Sequence, residues 1–165
     1  MRSLRLAVIS AVCLACSDAT GIGVQGPSFL RANVDGRPLA FDENDSFVWG
    51  LNGTILILQA VPGTMLPAAN PVIGFQVGNY QGPGTYVLEA NTNPGPITEG
   101  WYGVLDGSGS PLASFATING SKGSIRIVAE DTTLGSIVGT FEFSASALTT
   151  GGEIHITQGS FRIRR

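Results

Sequence analysis

The chain has 165 residues and a net charge of −3, with 43% apolar and only 13% charged residues. That balance excludes an intrinsically disordered chain, which pairs low hydrophobicity with high net charge. It also excludes electrostatic capture of nucleic acid: no basic stripe occurs, and without Arg2 and Arg5 only 7 basic residues stand against 12 acidic ones.

Arg2 and Arg5 precede an apolar run of ten residues, Leu6 to Ala15. As a helix this run reaches about 15 Å, half of a bilayer's hydrocarbon core. It therefore reads as an export signal and not as a membrane span. At its end, Val12-Cys13-Leu14-Ala15-Cys16 resembles the lipobox of bacterial lipoproteins, where a small residue precedes the cysteine that is acylated after cleavage. Ala15 and Cys16 stand in those two places. Leu14 is one position nearer the cut than the usual leucine, and Cys13 occupies the leucine's place. The resemblance implies a signal over residues 1–15 and a membrane partner engaged through acyl chains on Cys16. Each buried methylene of such chains contributes about 0.8 kcal/mol. Ser17 is not the aspartate that retains some lipoproteins at the inner membrane, so the outer membrane of a bacterial envelope is the expected location. Both cysteines fall within the first 16 residues, which leaves the body without a disulfide.

Residues 16–27 are glycine-rich and aperiodic, and are expected to form a flexible tether with an end-to-end distance of about 20 Å. Gly21-Ile22-Gly23-Val24-Gln25-Gly26 matches the dinucleotide-binding G-x-G-x-x-G literally. It lacks the strand before and the helix after that the motif needs.

Residues 28–165 read as a single all-β domain, short apolar runs cut by turn signals. Phe29 to Val34 is a strand, Asp35-Gly36 a hairpin turn, and Arg37 to Phe41 the return, which Pro38 confines to a sheet edge. Phe47-Val48-Trp49 leads to a second hairpin signal at Asn52-Gly53. Thr54 to Val61 is the most apolar strand, expected to be buried on both faces. Pro62 to Pro71 is a loop. Val72 to Val77 and Thr85 to Leu88 are strands around Gly82-Pro83-Gly84, and Asn91 to Pro96 is a further loop. Trp101 to Leu105 ends at Asp106-Gly107, and Leu112 to Ile118 ends at Asn119-Gly120. The last third alternates most clearly. Ile125, Ile127 and Ala129 share one face; so do Ile137, Gly139, Phe141, Phe143 and Ala145. Ile154 pairs with Ile156, and Phe161 with Ile163. Period two with polar residues opposite means antiparallel strands with one wet side. The expected architecture is about ten or eleven antiparallel strands, as a β-sandwich or a partly closed β-barrel, with no long helix.

Four stretches, in this order, resemble a family of uncharacterised bacterial envelope lipoproteins. They are Ala32 to Phe41, Gly84 to Leu88, Gly123 to Ala147, and the closing Ile156 to Ile163 with its T-x-G-x-F pattern. An aromatic is usual where Leu39 stands. The resemblance implies secretion, a lipid anchor and an all-β domain, and it carries no catalytic residues and no cofactor.

The residues themselves offer little chemistry. The one histidine, His155, lies on the face opposite Ile154 and Ile156, and no G-x-S-x-G elbow accompanies it. Glu89, Glu99, Asp106, Glu130 and Glu142 are the acids available for glycoside chemistry, but they are scattered over turns and alternating strands. Asp42-Glu43-Asn44-Asp45 is the densest oxygen cluster; Asp42 and Asp45 are weak calcium candidates, with a polar turn the expected reading. Arg162, Arg164 and Arg165 read as a solvated strand end. The candidate ligand-binding residues are Trp101, Tyr102 and Trp49. Neighbouring strand residues face opposite ways, so Trp101 and Tyr102 put one ring on each side of the sheet. The competing expectation is that Trp101, like Trp49, fills the core. The leading functional reading is a monomeric, lipid-anchored, non-enzymatic module. It would bind a glycan or protein through an exposed aromatic, or an apolar ligand inside a barrel. A structural surface protein and a hydrolase using acidic residues are the rivals.

Overall fold

The structure, a computed structural model, describes residues 23–89, 96–118, 120–149 and 151–164. The expected signal and Cys16 lie outside the described residues. The strands are β1 (Phe29–Val34), β2 (Arg37–Phe41), β3 (Ser46–Asn52), β4 (Ile55–Val61), β5 (Asn70–Val77), β6 (Gly84–Leu88), β7 (Glu99–Leu105), β8 (Pro111–Ala116), β9 (Gly123–Asp131), β10 (Ser136–Ala147) and β11 (Glu153–Arg164). No helix occurs among the described residues.

All eleven strands belong to one antiparallel sheet, in the order β2-β1-β11-β10-β8-β7-β5-β4-β3, with β9 and then β6 branching from β10. The branch follows from length. β10 has 12 residues, and while one edge pairs with β11, the other pairs first with β9 and then with β8. The sheet ends at β2 and β3 and does not close into a barrel. It folds over on itself instead. Phe75 of β5 packs against Phe141 and Phe143 of β10 at ring-centroid distances of 4.6 and 5.7 Å.

The alternation read from the last third is what the core uses. Ile137, Phe141, Phe143, Ala145, Ile154, Ile156, Phe161 and Ile163 are all buried in one cluster. A fully buried side chain of this size contributes about 1.5–3 kcal/mol relative to an exposed one. The exception is Ala129. A bulge between its pair, Val138↔Ala129, and the next, Gly139↔Ile127, takes it off the face of Ile125 and Ile127. A second bulge, in β11, centres on Gln158, whose φ of 54° is left-handed.

Asp35 and Gly36 have φ of 48° and 77°, as the two-residue primed hairpin turn requires. The second hairpin turns on Gly53 and Thr54, one place beyond Asn52-Gly53, because Asn52 still pairs with Ile55. β4 is not buried on both faces: Leu56, Leu58 and Ala60 are enclosed, while Ile55, Ile57, Gln59 and Val61 are half-buried on the outer face of an open sheet. β2 is an edge strand, the place Pro38 allows it.

The described end of the expected tether is fastened to the domain. Arg162 Nε donates to Gly23 O at 2.7 Å, Arg162 Nη1 to Pro27 O at 3.3 Å, and Ser136 Oγ to Val24 O at 2.7 Å. The Arg162 guanidinium also sits 5.3 Å from the Phe29 ring centre. Arg162 is thus a clasp on the incoming segment and not a solvated strand end.

Candidate functional site

A partly open cleft of about 550 Å³ lies where the β1–β2 turn meets the starts of β5 and β11 and the end of β7. Its walls are Val34, Pro38, Leu39, Ala69, Pro71, Val104 and Ile154, with Asp35, Arg37 and Tyr102 as the polar contributors.

Two hydrogen-bonded devices hold these walls in place. The Asp35 turn is bonded to β11: its N–H donates to His155 O at 2.9 Å, and its Oδ1 accepts from His155 N–H at 2.8 Å. On the opposite wall, Asn70 is wholly buried. Its Oδ1 accepts from Leu66 N–H at 2.6 Å, and its Nδ2 donates to Leu66 O, Leu105 O and Asp106 O. A buried amide satisfied on both atoms is stable only in that one arrangement. The loop expected to run to Pro71 ends at Ala69, since β5 begins at Asn70, and Asn70 ties that loop to the end of β7 and sets the positions of Ala69 and Pro71.

Tyr102 and Trp101 point to opposite faces, both half-buried. Tyr102 packs on the core beside Phe115, ring centres 6.3 Å apart. Its hydroxyl has no hydrogen-bond partner among the described residues and is not sealed off. Burial, and then the charge of Asp35, push its pKa above the ordinary tyrosine value. The hydroxyl is thus a neutral donor and acceptor in the cleft. Trp101 lies on the outer face against Gly74, where an added Cβ would fall 2.2 Å from the indole Cζ2. Trp49 is in the core, 6% exposed, and its Nε1 donates to Gly135 O at 2.9 Å. Of the three aromatics singled out, the structure brings only Tyr102 into the cleft.

Asp42 and Asp45 form a closed polar turn. Asp45 Oδ2 accepts from Asp42 N–H and its Oδ1 from Gly63 N–H, while Asp42 Oδ1 takes both Asn44 donors. Among the described residues no group of three or more His, Cys, Asp or Glu is placed to hold a metal ion.

The scattered acids each have separate surroundings. Glu89 pairs with Lys122 at 3.3 Å, Glu130 accepts from Tyr80 Oη at 2.8 Å, and Asp106 holds its own turn through Ser108 and Ser110. Those bonds lower the Asp106 pKa below the usual carboxylate value. Glu99 is half-buried on the Trp101 face, and burial raises its pKa. Glu142 lines a shallow depression of about 220 Å³ with Lys122, Ser144 and His155. There Ser144 Oγ and His155 Nδ1 are 2.8 Å apart. The other ring nitrogen of His155 has no partner among the described residues, so nothing fixes the tautomer a nucleophile's base needs.

Asp35, Arg37, Asn70 and Ser144 escaped the sequence reading. Asp35-Gly36 was legible as a turn, but nothing local says that the turn overhangs a cleft. Comparison with protein-family models, curated proteins and solved structures finds no match for this chain.

Proposed function

We propose that this chain is a non-enzymatic binding module of the bacterial cell envelope. In this reading it belongs to the lipoprotein family its sequence resembles, and acyl chains on Cys16 hold it at the membrane. Its ligand is a small amphipathic molecule taken into the end cleft. The observation that carries this reading is the cleft itself. A volume of about 550 Å³ falls among small-molecule sites, which are mostly apolar with a few convergent polar groups. The ligand's apolar body lies against Val34, Leu39, Pro71, Val104 and Ile154. Arg37 is exposed and has no ion-pair partner among the described residues, while Asp35 is partly engaged by His155. That asymmetry favours an acidic or strongly accepting end on the ligand. An apolar ligand enclosed within a barrel is not supported, since the sheet is open and its interior is filled by the core cluster.

The cleft is tested with anilinonaphthalene sulfonate, which has apolar rings and one anionic group. Saturable fluorescence that Val104→Trp abolishes and Arg37→Glu weakens about tenfold supports the site. Equal binding by folded wild-type and variant proteins refutes it. The anchor is tested separately by Cys16→Ser, followed by cell fractionation and mass measurement. Release from the membrane with loss of the acyl mass is expected; an unchanged mass in the membrane fraction ends the anchor reading.

A further inference from the structure

The outer face of β5 and β7 carries a second arrangement, unrelated to the cleft. The register places Trp101 in one cross-strand row with Gly74, Gln59 and Ala116. Glu99 stands in the adjoining row with Gln76 and Ile57. Because Gly74 has no side chain, the indole lies down on the sheet instead of standing off it. Gly103, two residues on, lies under Val72, whose Cγ2 stands 3.2 Å from where a Cβ would be. The Trp101 indole N–H has no acceptor among the described residues and is not buried. Glu99 is the nearest acid along the same face, about 7 Å away by strand spacing. Its carboxylate is half-buried yet has neither ion pair nor hydrogen bond among the described residues.

A flat apolar ring, an unfilled N–H donor and an unfilled two-oxygen acceptor on one face suit a molecule with matching parts. It must offer an apolar face for stacking and adjacent hydroxyls around its rim. A pyranose ring has that form, with its axial C–H bonds on the face and its hydroxyls at the edge. No cation pairs with Glu99 among the described residues, which disfavours an anionic sugar. We infer that the Trp101–Glu99 face is a sugar-binding platform for a neutral pyranose ring. The indole stacks on one ring, its N–H donates to a sugar oxygen, and the Glu99 carboxylate accepts from neighbouring hydroxyls. Gln59, in the indole's own row, is a further amide partner, whereas Gln76 is already engaged, its Nε2 donating to Ile97 O at 3.3 Å.

The two tryptophans give two indole N–H resonances in the ¹⁵N-labelled protein. Titration with cellotetraose and with chitotetraose should move the Trp101 resonance saturably, with a dissociation constant of about 0.1–10 mM, and leave that of Trp49 in place. Glu99→Gln should weaken the affinity about tenfold, and Trp101→Phe, which keeps an apolar ring but no donor, should weaken it at least as much. Val104→Trp, which fills the cleft, should bind both sugars as the wild type does, so loss of the cleft reading leaves this one intact. The inference is overturned if neither sugar moves the Trp101 resonance at about 10 mM. It is equally overturned if Glu99→Gln binds unchanged, or if Val104→Trp abolishes the response.

Discussion

The β10–β11 pair and the β5–β7 pair line the same core from opposite sides, yet their outer faces differ. On β10 and β11 the outward positions are mostly polar and engaged, Ser144 with His155 and Gln158 with Asn33 of β1, with buried Val138 the apolar exception. On β5 and β7 the outward positions carry Val72, Gly74, Trp101 and Gly103, and the polar groups of Trp101 and Glu99 have no partner among the described residues. The inner faces are alike because burial imposes one demand on both. The outer faces bury only scattered apolar side chains such as Val72 and Val138, so their polar groups are less constrained and differ between the two sides.

The contrast is sharpened by substitutions on each side. The largest effect is expected inside. Phe75→Ala removes the ring that both Phe141 and Phe143 pack against, and should cost about 3–5 kcal/mol in urea unfolding. A loss below about 1 kcal/mol would mean that the two halves do not share a core. Next is Gly139→Ala on β10, whose new Cβ would lie 2.3 Å from Arg126 O and 2.6 Å from the Phe161 ring. Neither can move without disturbing the sheet, and about 2–3 kcal/mol should be lost. For Gly74→Ala the three nearest atoms all belong to the half-buried Trp101 indole, which can swing away. The substitution should cost less, about 1 kcal/mol, and red-shift the tryptophan fluorescence as the ring lifts into water. A cost equal to that of Gly139→Ala would make Trp101 a fixed part of the fold and not a platform.

The smallest effect is expected at Glu99. Burial raises its carboxyl pKa in the folded chain, so the folded state holds the proton more readily than the unfolded one. Its contribution to stability is therefore complete below the unfolded value, about 4.3, and is lost as pH rises through the higher folded value. Glu99→Gln should raise the melting temperature at pH 7, by less than about 1 kcal/mol in stability, and change nothing at pH 3. An equal gain at both values would point to packing instead of charge. A residue whose removal stabilises the fold yet weakens sugar binding is not there for structure.

How much could be read in advance follows from the same contrast. Strands with one strict apolar face, such as Phe141, Phe143 and Ala145, were legible because period-two burial is a local property. The primed turn at Asp35-Gly36 was legible for a similar reason, since it depends on two residues. Ala129 and the outer face of β4 were misplaced. A bulge or an open sheet shifts a side chain without leaving a mark on the pattern. The cleft was not legible at all. Val34, Ala69, Val104 and Ile154 are far apart in the chain, and only the strand order, with β1 beside β11 and β5 beside β7, gathers them. Asn70 falls inside the stretch read as a loop, and nothing nearby in the chain announces the carbonyls of Leu105 and Asp106.

The Arg162 clasp bears on how the domain would stand on a membrane. It grips the incoming chain at Gly23 and Pro27, beside the first residue of β1, whereas the cleft lies at that strand's other end, beyond Val34. Between Cys16 and Gly23 the backbone can extend at most about 25 Å. A lipid at Cys16 would therefore set the clasped end toward the bilayer, with the cleft on the far side, turned outward to whatever drifts past.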